Sequence, residues 1–427
     1  MDNNTIDINV PISDKVESPS VIKVLGVGGG GGNAVNNMFR LGITDVSFAV
    51  CNTDWMALQA SPVPQKIRIG DLGAGGIPEV AQKAANENEE RIREALNDGT
   101  KMLFITATMG GGTGTGASPV VARIAQELNI LTVGIVTIPF EFEGIKKIRQ
   151  AINGLMELSK HVDAMLVINN EKLYSLYPKL PISEAFQKAD DVLANAAKSI
   201  AEIITKWGYI NVDFADVYAT LKDGNVAIMN IGTASGEHRV SAAINDALTS
   251  PLVSSTDIHG AKKILINLYC SRQNEIRPEE IHEIHNFMKE MGDDVNVIWG
   301  INFEDDLGDN VKVTLIATGY DMTDIPGLPI KIVTNKKERP AMPTPNFAQQ
   351  NNTTSSEEID LTADIVQEDK MTTEDKIRDE AIAAFYSNNE QQAQSATPDV
   401  VDLTSHHPTQ QELENVPAWL RRRQQNN

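Results

Sequence analysis

Cysteine is nearly absent from the chain: Cys51 and Cys270 are the only two among 427 residues. A disulfide framework and a multi-cysteine zinc site are thereby excluded. No apolar run approaches the ~18 to 20 residues that a membrane helix needs, so a direct membrane span is not expected. Positive charge is also short. Lysine and arginine total 37 against 58 acidic residues, a net charge of -21. A surface built to grip DNA or RNA needs the opposite field, so nucleic acid is not an expected partner. The first residues carry Asp2, Asp7, Asp14 and Glu17 rather than a basic stretch followed by an apolar one. No export signal is visible there, and a cytoplasmic protein is expected.

What is present is a strand and helix alternation. Residues 1–19 are polar and aperiodic, and read as a flexible tail. From Val21 onward, β-rich runs at 21–27, 46–51, 66–69, 103–106, 132–138 and 165–168 are separated by helical patterns such as Val80–Leu96 and Ser118–Leu128. That order predicts an α/β domain with a mostly parallel sheet over residues 20–182. A long helix is expected from Ser183 to Lys206, capped by Ser183 and ended by Gly208. Its apolar stripe runs through Phe186, Ala189, Leu193, Ala196, Ala197, Ile200 and Ile204. The helix and its connection take up 183–210.

Four further strand-like runs (225–231, 263–270, 295–301, 311–320) and helices near 236–248 and 278–291 predict a smaller α+β domain over 211–337. Pro278 and Gly292 bracket the second helix in the favoured order. From 338 to 410 there are fourteen acidic residues against four basic ones, with many Asn, Gln, Ser and Thr. Such a segment cannot bury enough apolar surface to order itself, so a disordered linker is expected. The end of the chain, 411–427, is apolar and then basic.

Two glycine strings stand out as candidate chemistry. Gly26-Val27-Gly28-Gly29-Gly30-Gly31-Gly32-Asn33 follows the first strand. Met109-Gly110-Gly111-Gly112-Thr113-Gly114-Thr115-Gly116 follows the strand at 103–106, with Pro119 expected in the first turn of the next helix. Glycines between a strand and a helix let backbone amides approach phosphates, and the helix N-terminus adds positive potential. Two such loops at the C-terminal ends of parallel strands can cradle one polyphosphate. No GxxxxGK[ST] string occurs, so this is not a Walker P-loop. Gly26, Gly28 and Gly31 with Asp54 also fit a dinucleotide-binding fingerprint, but that fold has no need of the second string.

Other candidates are ambiguous on their own. Phe186 reads equally as a core aromatic, Asp190 as a solvated helix face, and Glu143 as a loop or cap residue. Asp213 and Asp216, three apart, read as helix caps.

The string 110–116 resembles the signature of the tubulin/FtsZ family of GTPases. So do Asn52-Thr53-Asp54, Pro139-Phe140-Glu141-Phe142-Glu143-Gly144, Ala185-Phe186 through Asp190, and Asn211-Val212-Asp213-Phe214-Ala215-Asp216, in the same order along the chain. The resemblance spans about residues 20 to 335 and points to the family's bacterial division branch. It implies a Rossmann-like GTPase domain joined by a long central helix to a smaller α+β domain. It also implies GTP/GDP with Mg²⁺ and a monovalent cation.

Residue by residue, the resemblance makes Gly28 to Asn33 the first phosphate loop and Gly110 to Gly116 the main one. Gly73, Ala74, Gly75 and Gly76 become the loop that senses the γ-phosphate. Glu143 becomes a ribose contact, with Asn52, Asp54, Pro139, Lys147 and Asn170 around the nucleotide. Phe186 becomes a ring stacked on guanine and Asp190 the acceptor for its N1–H and N2–H. Asn211, Asp213 and Asp216 match the synergy loop, which completes the site of the next subunit and orients the attacking water.

Spacing agrees with a shared site. From 190 to 208 a helix would run about 27 Å, too far for one nucleotide to touch both ends. A head-to-tail contact then gives filaments, with hydrolysis activated by polymerisation. Val416, Pro417, Ala418, Trp419, Leu420 and Arg421 resemble the family's partner peptide, which implies FtsA-type membrane tethers and division regulators. The chain departs from the family in Lys147 for a usual arginine, Thr108 for a usual glycine, Asn415 for a usual aspartate, and a shorter segment before Leu72. The expected function is a cytoplasmic, polymerising GTPase of the midcell division ring.

Overall fold

The computed structural model describes residues 20–171, 179–206, 208–249, 260–292 and 294–320. The expected tail (1–19), linker (338–410) and terminal peptide with Val416, Pro417, Trp419, Leu420 and Arg421 lie outside the described residues.

Six parallel strands form the first half: β1 (Ile22–Val27), β2 (Ser47–Asn52), β3 (Gln65–Arg68), β4 (Met102–Thr108), β5 (Leu131–Ile138) and β6 (Ala164–Asn169). They stand in the order β3-β2-β1-β4-β5-β6. This is the dinucleotide-fold order, in which the connection reverses between the first and fourth strands and opens a crevice at their C-terminal ends. β1 and β4 are apolar and buried along nearly their whole length, as strands covered on both faces must be.

Right-handed crossovers that run in opposite directions along a sheet place their helices on opposite faces. Accordingly α1 (Gly28–Arg40) and α7 (Ile182–Thr205) share one core, through Ala34, Val35, Met38, Leu193, Ala197 and Ile200. On the other face α5 (Thr113–Glu127) packs against α3 (Pro78–Glu87) and α6 (Ile145–Ser159). The short α2 (Trp55–Ala60) and α4 (Glu89–Leu96) complete this half.

The second half is mixed. It comprises α8 (Phe214–Leu221), β7 (Asn225–Ala234), α9 (Arg239–Leu248), β8 (Lys263–Cys270), α10 (Pro278–Met291), β9 (Asn296–Phe303) and β10 (Val311–Tyr320). β10 pairs antiparallel with β7 and β8, and β8 pairs parallel with β9. The two halves are not separate sheets. One ten-stranded sheet runs through both, joined where Ala164 and Met165 of β6 pair with Asn225 and Val226 of β7. Beyond that short seam the strands part. A space of about 290 Å³ opens between Leu166–Ile168, Ala227–Ile231 and Val192, Asn195 and Ala196 of α7.

Several local expectations are corrected. The single helix expected over 80–96 is two, α3 and α4. The break is Asn88, whose side-chain amide donates to Ala84 O at 2.9 Å and draws the chain out of helical geometry. The long helix starts at Ile182 with Pro181 at the N-cap position, so Ser183 stands inside the first turn rather than at the cap. Its C-cap is Lys206 in extended geometry, so Gly208 does not end it. Gly208 is small for another reason: a Cβ there would lie 2.3 Å from Ile301 O. Pro119 sits in the second turn of α5 rather than the first, and the hydroxyl of neighbouring Ser118 donates to Gly114 O at 2.5 Å.

Candidate functional site

Both glycine strings turn out to be the beginnings of helices. Gly28 is the first residue of α1, and Thr113 the first of α5. Positive φ at Gly28 (77°) and Gly110 (93°) turns the chain from strand to helix, which a side chain would resist. The two starts converge. A Cβ on Gly28 would lie 2.7 Å from Gly114 N, and one on Gly30 2.1 Å from the Thr108 hydroxyl. The first turn of a helix has amides without intrahelical partners. Here two such turns, with their dipoles, face one crevice, which suits an anion.

That crevice is a cavity of about 410 Å³ at the β1/β4 crossover. Of the expected residues, Gly29, Gly30, Asn33, Gly110, Gly111, Gly112, Thr113, Gly114, Glu143, Lys147, Asn170, Phe186 and Asp190 line it. Glycine makes one end; charged and aromatic side chains make the other. Phe140 holds Phe186 edge-on, with centroids 5.2 Å apart and planes at 85°. Phe186 is 40% exposed, so its face is open rather than part of the helix core. Glu143 accepts from Phe140 N at 3.0 Å and from Lys147 Nζ at 3.2 Å, and so acts as a cap while facing the cavity. Asn170 is buried, and its Oδ1 has no hydrogen-bond partner. An orphaned acceptor on a cavity wall fits a ligand that donates a hydrogen bond. Burial, and after it the Asp191 carboxylate, push Asp190 up to about 7.

The other expected residues stand behind the wall or beside it. Gly31 and Gly116 serve packing: a Cβ would lie 2.1 Å from Thr106 O in the first case and 2.0 Å from Pro78 O in the second. Gly28 belongs to the same close approach of loops, and Gly32 faces open space. The Thr115 hydroxyl accepts from Gly110 N at 2.9 Å and pins the main loop. Asn52 accepts from Asp54 N at 3.2 Å, and Asp54 caps α2 by accepting from Met56 N at 2.9 Å. Pro139 lies 3.2 Å from a Cβ placed on Gly110. Gly73, Ala74, Gly75 and Gly76 pass beside the main loop, with the Ala74 methyl 2.8 Å from a Cβ placed on Gly112.

Val27 and Met109, quoted within the two strings, and Thr108, Thr137 and Ala189 also line the cavity, though none of the five was an expected nucleotide contact. Val27, Thr108 and Thr137 lie at the C-terminal ends of β1, β4 and β5 or beside them, where ligands of parallel sheets bind. That rule would have found them.

Asn211, Asp213 and Asp216 are not on the cavity wall. Asp213 accepts from Asp216 N at 3.0 Å, and Asp216 from Asp213 N at 3.1 Å, a reciprocal cap on α8. Asn211 accepts from Gly208 N at 3.3 Å. From Asp190 to the end of α7 at Thr205 is about 22 Å of helix, and these residues lie beyond that end. Among the described residues no cluster of three or more His, Cys, Asp or Glu could hold a metal ion. No helix there is long and apolar enough to cross a membrane.

Fold and cavity together define a protein of the nucleotide-binding class: a doubly wound sheet whose switch-point cavity is walled by glycine loops at one end and by aromatic and charged side chains at the other. Comparison with known proteins narrows this. Residues 21–178 match the GTPase domain of the Tubulin/FtsZ family, and residues 225–321 match the C-terminal domain of the FtsZ family. The cell division protein FtsZ of Porphyromonas gingivalis is 52% identical over 310 residues, covering 71% of this chain and 68% of that one. FtsZ of Buchnera aphidicola is 44% identical over 315 residues, covering 72% and 81%. A solved FtsZ dimer from M. jannaschii superposes with a TM-score of 0.65 at 40% identity, covering 71% of this chain and 89% of that one. The chain belongs to the FtsZ family of cell-division GTPases. It binds GTP and GDP and hydrolyses GTP.

Proposed function

We propose that this GTPase polymerises head to tail and hydrolyses GTP between subunits. The observation that carries this is the separation of the cavity from Asn211, Asp213 and Asp216 by the length of α7. If both act on one nucleotide, they come from different subunits. Two unlike faces meeting in this way give an open filament. In the cavity, the starts of α1 and α5 hold the phosphates, and Phe186 and Asp190 hold guanine. Glu143 lies at the ribose, with Lys147 and Asn170 on the same wall. Gly73 to Gly76 meet the γ-phosphate. From the neighbouring subunit Asp213 and Asp216 orient the attacking water, and Asn211 assists.

Phosphoryl transfer asks mainly for such positioning and charge stabilisation. Mg²⁺, with a monovalent cation, would arrive on the nucleotide rather than in a ready-made protein site, since no such cluster exists among the described residues. The filament is the cytoplasmic division ring at midcell. Val416, Pro417, Trp419, Leu420 and Arg421 carry the contact to FtsA-type tethers and regulators.

The test is GTPase rate against protein concentration, with light scattering in parallel, for wild type and Asp213→Ala. Activity should appear above a threshold concentration, and the variant should assemble while hydrolysing at least tenfold more slowly, as expected when a water-orienting group is removed. Constant specific activity down to dilute monomer would place the acids in the same subunit as the nucleotide and end the shared-site reading.

A further inference from the structure

Gln150 lies in the second turn of α6 and has no part in the chemistry above. Its Nε2 donates to Gly76 O at 2.8 Å and to Gly111 O at 3.3 Å. One amide nitrogen thus ties together two loops that are distant in sequence. Gly111 lines the nucleotide cavity. Gly76 closes the 73–76 loop, where Gly73, Gly75 and Gly76 have φ of 82°, 58° and 76°.

That loop has little to fix its shape. A Cβ on Gly75 or Gly76 would meet nothing within 4 Å, so side-chain packing rests on Ala74 against Gly112. Its backbone is held by Gly73 N donating to Thr53 O and by Ile77 N donating to Ala74 O, both at 3.0 Å. At the entry end, the Thr53 hydroxyl also bonds the Thr113 hydroxyl at 2.6 Å. The entry end is therefore coupled to the main loop through Thr53, and the exit end through Gln150. Chain rich in glycine loses much conformational freedom on ordering, so a tie made before the ligand arrives lowers the cost of binding.

We propose that Gln150 is a positioning residue for the terminal phosphate: it sets the spacing between the 73–76 loop and the main glycine loop before GTP arrives. This rests on the reading of 73–76 as the γ-phosphate loop. GDP engages the starts of α1 and α5, whereas GTP needs the 73–76 loop as well, at the right distance from the main loop. Loss of the amide therefore weakens GTP selectively. A purely structural tie would weaken both nucleotides alike.

The test uses the full-length protein, stripped of nucleotide and kept below the concentration at which it assembles. Gln150→Ala removes the amide. Gln150→Glu keeps its size and removes the donor, so a folding defect in one variant does not leave the question open. Affinities for GTP and GDP are measured by titration, and hydrogen exchange of residues 70–78 is followed with each nucleotide. In both variants GTP should weaken on the order of tenfold, while GDP stays within about twofold, as the loss of two modest hydrogen bonds implies. Extra protection of 70–78 by GTP over GDP should be present in wild type and lost in the variants. If wild type shows no such extra protection, the γ-phosphate reading of the loop is wrong. If wild type shows it and the variants keep it, or if both nucleotides weaken equally, Gln150 is an ordinary structural contact.

Discussion

In the guanine-binding role proposed for Asp190, a carboxyl group poised near neutrality would make recognition of the base sensitive to pH. Guanine offers two N–H donors side by side, and only ionised Asp190 accepts both. Because burial lifts this group to about 7, the unliganded site is substantially protonated at neutral pH and below. In that role guanine would favour the ionised form, so affinity should rise with pH. GDP binding should weaken as pH falls through about 7, approaching tenfold per unit below it, the slope for one coupled proton. Titrations from pH 6 to pH 8 check this. Asp190→Asn should bind more weakly throughout and show a shallower slope, the remainder belonging to the phosphates. At this scale the sequence was only partly legible. A helical stripe identifies Phe186 but does not say that the stripe runs off the core before reaching it. Asp213 and Asp216 are hydrogen-bonded as helix caps, as their spacing alone suggested, so a catalytic role there comes from the family resemblance.

Glycines within one string do different work. Gly31 lies against β4, with Thr106 O 2.1 Å from where a Cβ would stand, whereas Gly32, one residue on, faces open space in an interior turn of α1. Gly31→Ala should destabilise by about 3 kcal/mol or more through overpacking against backbone. Gly32→Ala should be neutral or stabilise by about 0.5 to 1 kcal/mol, from helix propensity and a less flexible unfolded chain. Urea unfolding of the two variants decides. The elements themselves were largely readable. The apolar runs gave all ten strands within a few residues, because strands buried on both faces must be apolar. The start of the helix at Pro278 was readable, but those of α1 and α5 were not, because glycine disfavours helix locally. Here packing of α1 and α5 against the sheet overrides that preference.

Strand order belongs to the whole molecule, and no local pattern encodes it. The sequence suggested two domains; the fold runs one sheet through both, on a seam of two residue pairs. Asp163 anchors that seam. Its side chain accepts from Thr132 N at 2.9 Å and pairs with Lys222 at 2.8 Å, and its carbonyl accepts from Asn225 N at 3.0 Å. Asp163→Ala strands a buried amide and a half-buried ammonium. It should cost about 2 to 4 kcal/mol, with a lower urea midpoint and a broadened or split transition if the halves uncouple. The glycine-walled end of the cavity, the proposed seat of the phosphates, has a different consequence for the protein's history. Glycines dominate it, and among the described residues the cavity wall carries charge only at Glu143, Lys147 and Asp190. A single nucleotide change in the gene alters a side chain, and at Gly28, Gly30 or Gly114 it would drive a new one into a packed neighbour. With the nucleotide seated as proposed, inherited variation would retune the grip on the base and the rim more readily than the hold on the phosphates, which changes by moving the loops themselves.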